Sequence, residues 1–190
     1  MSGATLLMGG VGQTVFAAVQ NTHNSPDTVE TIPIGATTAT IELWGQTGSG
    51  GTVVVIAGEP SLPGGGGSGS YVRTVMSVVG KGGKTFALSL GSGGSSGNST
   101  ITAGTVTGFS TMTAGGGYNG ANIGPGGAGG SVQTGGTQAN TAGNAGADGY
   151  TSGIGGAAVV GIYATGNKGA NGSVGAARLG KTAVASFHYA

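Results

Sequence analysis

In GGGYNGANIGPGGAGG (residues 115–130), GNAGADG (143–149) and GNKGANGSVG (166–175), many of the glycines fall three residues apart. Gly124, Gly127 and Gly130 keep this step, as do Gly143, Gly146 and Gly149, then Gly153 and Gly156, then Gly166, Gly169, Gly172 and Gly175. Three residues per turn is the period of the polyproline II helix, which makes no internal hydrogen bonds and must satisfy its N–H and C=O groups on other segments. The collagen triple helix shares the period but needs one unbroken Gly-X-Y frame rich in proline. Here the frame shifts every few residues, and Pro125 is the lone proline between Gly115 and Gly180. The stretch 115–180 therefore predicts a block of short left-handed glycine helices of polyproline II type (polyglycine II), packed side by side and bonded to one another.

A chain with 47 glycines and 5 prolines in 190 residues also suits a flexible linker. Ordering a residue costs roughly 1–2 kcal/mol, and most for glycine. An ordered stretch of this kind has to be held by many backbone bonds, each contributing about 0.5–1.5 kcal/mol net. Packed helices supply such bonds, and we prefer them to irregular loops pinned to a neighbour.

Working outward, the chain before the glycine block reads as short strands. Val29–Ile34 and Thr38–Trp44 are separated by a turn at Gly35; in the second, Ala39, Ile41 and Leu43 share one face and Thr38, Thr40, Glu42 and Trp44 the other. Gly45–Gly51 reads as a polar turn, TVVVIA (52–57) as a strand buried on both faces, and EPSLPGGGGSGS (59–70) as a loop. Tyr71–Val78 and Thr85–Leu90 alternate again, followed by Ser99–Ala103 and Phe109–Ala114. TAVASFHY (182–189) is strand-like, so the chain is expected to return to the same sheet at its far end.

Short strands at this spacing without an amphipathic helix predict an all-β fold, a small antiparallel β-sandwich or jelly-roll-like base that carries the glycine block. The expected core is Ile41, Leu43, Val54, Ile56, Val72, Met76, Phe86, Leu88, Val184 and Phe187. The expected organisation is an uncharged leader at 1–25, the base at 26–114, the glycine block at 115–180 and the returning strand at 181–190. The leader contains a candidate strand, Thr14–Val19, and a turn-rich run, NTHNSPD (21–27). It either packs on its own domain or docks on another subunit. Met1–Gln20 is mildly apolar but lacks a positive n-region and is broken by glycines, so a cleaved signal is not expected. No segment has the length of a membrane span, and no membrane insertion is expected.

Six Lys and Arg stand against five Asp and Glu, a net charge of +1. Arg73, Lys81, Lys84, Lys168, Arg178 and Lys181 are too few and too scattered in sequence for a counterion-displacing surface, so nucleic acid is not an expected partner. Between Thr85 and Ala147 there is no charged residue, and solubility there rests on Ser, Thr, Asn and peptide groups, as on an extracellular or virion surface. Absence of cysteine excludes disulfides, thiolate zinc sites and a cysteine nucleophile.

TIPIGATTATIELWGQTGSGG (31–51), GGGGSGSYVRTVMSV (64–78) and KTFALSLGSGG (84–94) together resemble the glycine-rich domain of tail-fibre and other surface proteins of tailed bacteriophages. In that family a strand ending in Trp-Gly, here Trp44-Gly45, leads into a glycine run, and a glycine-rich block closes on a terminal aromatic strand. The resemblance covers about Thr31–Ala190. A looser similarity is to phage tail-tip adhesins, which stack glycine helices and display recognition loops from one end; their long aromatic loops are replaced here by short inserts such as SVQTGGTQANTA (131–142) and VVGIYAT (159–165).

Letter matches to catalytic motifs lack the context they need. GAARLGKT (175–182) fits the P-loop pattern, but only eight residues follow Thr182 and they favour a strand, where a helix N-terminus is required. GGSSG (93–97) fits the nucleophile elbow, and Gly64–Gly69 and Gly124–Gly129 the dinucleotide pattern, as chance expects in so glycine-rich a chain. His23 and His188 read as surface or edge-strand histidines without a carboxylate near in sequence. Neither an enzyme, a nucleotide site, a metal site nor a cofactor is expected.

The better candidates are aromatic. Tyr118, Tyr150 and Tyr163 lie in the glycine block, where small neighbours leave them little core to fill; they either recognise a receptor or seal the ends of the bundle. The expected function is that of a non-enzymatic virion surface protein of a tailed phage, a tail fibre or tail-tip adhesin. It would act as a homo-oligomer, a trimer by analogy, held to other virion proteins by its leader, and bind a host-surface glycan or outer-membrane protein. The alternatives are a capsid or tail decoration protein and a bacterial surface adhesion module.

Overall fold

A computed structural model describes residues 16–26, 28–53, 63–94, 96–149, 154–162, 165–174 and 178–190. In chain order its strands are β1 (Val19–His23), β2 (Thr28–Thr31), β3 (Thr38–Trp44), β4 (Thr52–Val53), β5 (Tyr71–Ser77) and β6 (Thr85–Ser89). They continue as β7 (Asn98–Thr102), β8 (Met112–Gly115), β9 (Gln133–Thr134), β10 (Ala139–Thr141), β11 (Ser173–Val174) and β12 (Val184–Tyr189). One antiparallel sheet runs β1-β12-β3-β5-β10 and a second runs β2-β6-β7-β8-β9, while β4 and β11 form a short parallel pair. The described residues contain no helix, and the fold is an all-β sandwich.

Period-two alternation places the core between the sheets. Ala39, Ile41 and Leu43 of β3, Val72 of β5 and Phe187 and Tyr189 of β12 are buried in one cluster with Phe86 and Leu88 of β6, Ile101 of β7 and Met112 of β8. Phe86 links the layers, with ring centroids 5.4 Å from Phe187 and 5.0 Å from Phe109. Of the expected core, Met76 is only partly buried against the cluster, and Val184, on the opposite face from Phe187, is half-buried. Val54 and Ile56 lie outside the described residues, as does most of the expected strand 52–57.

The C-terminal strand enters the middle of the first sheet, between β1 and β3. Of the expected leader strand Thr14–Val19, Thr14 and Val15 lie outside the described residues; β1 begins at Val19 and takes in Asn21–His23, read from sequence as turn. The reason is polar pairing, since the Asn21 amide donates to Glu30 of β2 at 2.9 Å and the His23 ring lies 2.7 Å from the same carboxylate. Three of the short strands, β9, β10 and β11, arise inside the glycine block, where sequence alternation gave no sign of them.

The largest departure from the sequence reading concerns Gly45–Gly51 and Pro63–Ser70. Neither is a surface turn or loop: every residue of Pro63–Ser70 is buried, as are all of 45–51 except the half-buried Ser49. Gly45, Gly48 and Gly51 donate backbone N–H to the carbonyls of Ser70, Gly67 and Gly64, each at 2.9 Å. Gly64, Gly67 and Ser70 donate in turn to Ala121, Tyr118 and Gly115; Gly65 and Ser68 donate to Ala147 and Asn144; Gly66 donates to Ala170. On the acceptor side, Gly127 and Gly130 donate to Gly65 and Ser68, and Gly156 donates to Gly66. Successive residues of 63–70 thus face different neighbours, and this one segment is surrounded by six others: 45–51, 115–121, 125–130, 143–147, 154–156 and 166–172.

Glycine content follows position in this bundle. The central segment has neighbours on all sides, and PGGGGSGS gives it only small residues after the proline. A Cβ at Gly66 would run into the carbonyl of Gly48, and one at Gly67 into that of Ala128. An outer segment needs a bare backbone on one side alone, hence every third residue. Gly143, Gly146 and Gly149 donate to Gly130, Gly127 and Gly124, each at 2.8 Å, so two glycine-stepped segments meet glycine to glycine. Between them Pro125, Ala128 and Ser131 are exposed while Gly124, Gly127 and Gly130 are buried.

Candidate recognition surface

The bundle has a sandwich end and a far end. At the first, chain passes directly between bundle and strands: Gly45 follows β3, Ser70 precedes β5, and Gly115 closes β8. At the other, the chain turns at 122–124, and β4 pairs with β11. Gly124, with φ of 94°, makes the tight return in which Ala121 donates to Pro125 at 2.9 Å. Asparagine carboxamides tie the segments beside it, Asn119 accepting from Ser49 N–H at 2.7 Å and Asn122 from Thr52 N–H at 3.1 Å. The Asp148 carboxylate accepts from Gly126 N–H at 2.9 Å. Ile123 and Ile154 stand exposed at this end.

Tyr118 lies on the outer segment 115–121, and the main chain fixes it on two sides: its N–H donates to Ala128 at 2.8 Å and its carbonyl accepts from Gly67 at 2.9 Å. Its side chain is about half exposed, at 49%. Tyr150 and Tyr163 fall outside the described residues, so the structure brings no pair of the three together.

Sequence reasoning missed a buried polar anchor on the outer face of the first sheet. Alternation puts Glu42 and Trp44 on that face, yet both are buried. Val159–Ile162 and Thr165–Gly166 fold back over them, with a bridge between Val160 and Thr165. Trp44 Nε1 donates to the Val159 carbonyl at 2.8 Å, and its ring packs where side chains on Gly161 or Gly166 would sit. Glu42 Oε1 accepts from the Tyr71 hydroxyl at 2.5 Å and from Ile162 N–H at 2.6 Å. Burial, then the hydrogen bond and charge of Glu42, push the Tyr71 phenol well above its ordinary range. The anchor leaves Val160 and Ile162 exposed on a pinned loop. Nothing in TATIELW signalled this cover, because a glutamate on the outer face of an alternating strand ordinarily reads as solvent-facing.

His23, assigned no carboxylate from sequence, is paired with Glu30 across the edge of the sandwich. Among the described residues no three His, Asp or Glu side chains gather to hold a metal. Lys181 and Thr182, the last letters of the P-loop pattern, lead into β12, a strand, and Lys181 N–H donates to Thr47 Oγ1 at 2.7 Å. No protein-family model matches this chain, and no curated protein matches it in sequence.

Proposed function

We propose that this chain is a non-enzymatic surface protein of a tailed-phage virion, a tail fibre or tail-tip adhesin, in which the sandwich holds a stiff glycine bundle and the bundle carries host-recognition groups. The observation that carries this reading is the enclosure of Pro63–Ser70 by six segments through bonds that step three residues at a time. That step supports reading the segments as polyglycine II helices. Each helix bonds sideways to several others, which makes a rigid stem out of residues that would otherwise be linker. Attachment groups gain from such a support because rigid presentation lowers the ordering cost of binding. The half-exposed Tyr118, with Tyr150 and Tyr163, and the exposed isoleucines of the far end are the recognition groups of this proposal.

The test is adsorption. Purified protein is expected to bind the surface of susceptible bacteria and to compete with phage, and replacing Tyr118, Tyr150 and Tyr163 together by Ala is expected to abolish both while the protein stays folded. Adsorption that survives loss of the whole chain, together with particles that become heat-labile without it, would replace this reading by that of a decoration protein.

A further inference from the structure

Three of the six basic side chains of the protein, Lys168, Arg178 and Lys181, line one groove on the bundle surface. Segment 45–51 is flanked on one side by 166–172, with Ala170 N–H donating to Gly48 at 3.3 Å, and on another by 178–181, with Gly50 and Thr47 donating to Arg178 at 3.1 Å and Lys181 at 2.9 Å. The two flanking segments leave a groove of about 210 Å³ between them, lined by Lys168, Asn171, Arg178, Leu179 and Lys181 together with the backbone of Gly169 and Ala170. Lys181 also lines an adjoining hollow with Asn24 and Asn167, so the depression continues toward the sandwich. No described carboxylate lines either hollow. Glu30 and Glu42 are buried in the sandwich, and Asp148 caps Gly126 elsewhere in the bundle. In a chain with net charge +1, positive charge is thus concentrated in one place.

We propose that this groove binds an anionic carbohydrate, with carboxylate or phosphate groups set against Lys168, Arg178 and Lys181. The guanidinium of Arg178 can take an oxyanion bidentately, and the two ammonium groups act as point charges on either side. Asn171 offers an amide for hydroxyl groups, and Leu179, 77% exposed, offers an apolar face for the carbon side of a sugar ring. A nucleic-acid strand carries the same charge but calls for aromatic platforms on which bases stack, and no aromatic residue lines the groove. The choice of a carbohydrate rests on the attachment reading above; the charge of the ligand does not.

The full chain is titrated with four defined probes: an oligogalacturonate, a phosphorylated mannan oligosaccharide, a neutral dextran oligosaccharide of equal length and a single-stranded oligonucleotide. Binding to at least one acidic saccharide is expected at least tenfold tighter than to dextran and to weaken as salt is raised. Preference between the two acidic probes tells carboxylate from phosphate recognition. Lys168→Gln, Arg178→Gln and Lys181→Gln combined should remove that preference with Tm unchanged, and Lys84→Gln, outside the groove, should leave it intact. Equal affinity for dextran, a triple variant that binds like the parent, or tighter binding of the oligonucleotide would each overturn the proposal. Whole-cell binding is measured in parallel on both proteins. Acidic-saccharide binding without cell binding would sink the attachment reading and keep the groove; cell binding unchanged by the triple variant, without saccharide binding, would do the reverse.

Discussion

The hydroxyl of Tyr71 donates to the buried carboxylate of Glu42 at 2.5 Å, and the same oxygen accepts the N–H of Ile162 at 2.6 Å, so one side chain ties β5 and β3 to the loop that covers them. Glu42→Ala leaves the buried Tyr71 hydroxyl and the part-buried Ile162 N–H without this acceptor. With about 1–3 kcal/mol for each unsatisfied group, it is expected to destabilise by about 2–5 kcal/mol in chemical unfolding. Glu42→Gln, which keeps an acceptor oxygen, should cost less. Increased hydrogen exchange at Ile162 in Glu42→Ala would place the damage in the covering loop.

Glycine in the bundle is expected to be irreplaceable by position. A Cβ on Gly127 would overlap the carbonyl of Tyr118, and one on Gly66 that of Gly48, and backbone cannot move aside as a side chain tip can. Gly127→Ala and Gly66→Ala should each cost about 3 kcal/mol or more, at the upper end for overpacked interiors. Ala128→Ser, on the exposed side of the same segment, should stay within about 0.5 kcal/mol. Equal melting temperatures for Gly127→Ala and Ala128→Ser would remove the close-packed interpretation.

Alkaline sensitivity follows from the two buried phenols. Burial first, and then Glu42 for Tyr71 or Glu30 for Tyr189, raise both above the ordinary value. A group whose folded pKa is raised contributes its full stability below the unfolded value, about 10 for tyrosine, and loses it as pH climbs toward the folded value. Stability should therefore fall above about pH 10, and less steeply in Tyr71→Phe and Tyr189→Phe. At neutral pH Tyr71→Phe should already destabilise, because it loses its bond to Glu42.

Self-association is expected through the leader. Residues 1–15 carry Leu6, Leu7, Met8 and Val11, whereas Val19–His23 is already engaged with β12. Light scattering of the full chain should give three times the 17.7 kDa subunit mass, and truncation to Phe16, which leaves β1 in place, should give monomer. A monomeric full chain would count against the trimer.

The legible parts of the fold are those where a side chain reports its surroundings. Thr38–Trp44 was readable to the residue, because ATIEL alternates and its apolar set has a core to enter; Phe86, Leu88 and Phe187 were placed for the same reason. Pro63–Ser70 was not, because GGGGSGS has no side chains with which to signal burial, and a segment enclosed on every side resembles a linker in composition. The three-residue step was visible only in the outer segments, where the two unconstrained positions are occupied by Asn, Ala, Lys and Asp and make the glycines stand out. The basic groove was hidden for a different reason: Lys168 and Arg178 meet only because both flanking segments bond to 45–51, a pairing no local pattern records. Of the three tyrosines, Tyr118 alone could be assigned an environment.

The six-neighbour enclosure of Pro63–Ser70 also has a mechanical meaning. Segments that lie side by side and bond across their flanks are loaded in shear when the far end is pulled away from the sandwich. A hairpin peeled from its tip loses its bonds one after another, but the central segment cannot slide without straining its bonds to six partners together. Tensile strength therefore comes from the number of neighbours and not from the strength of any one bond.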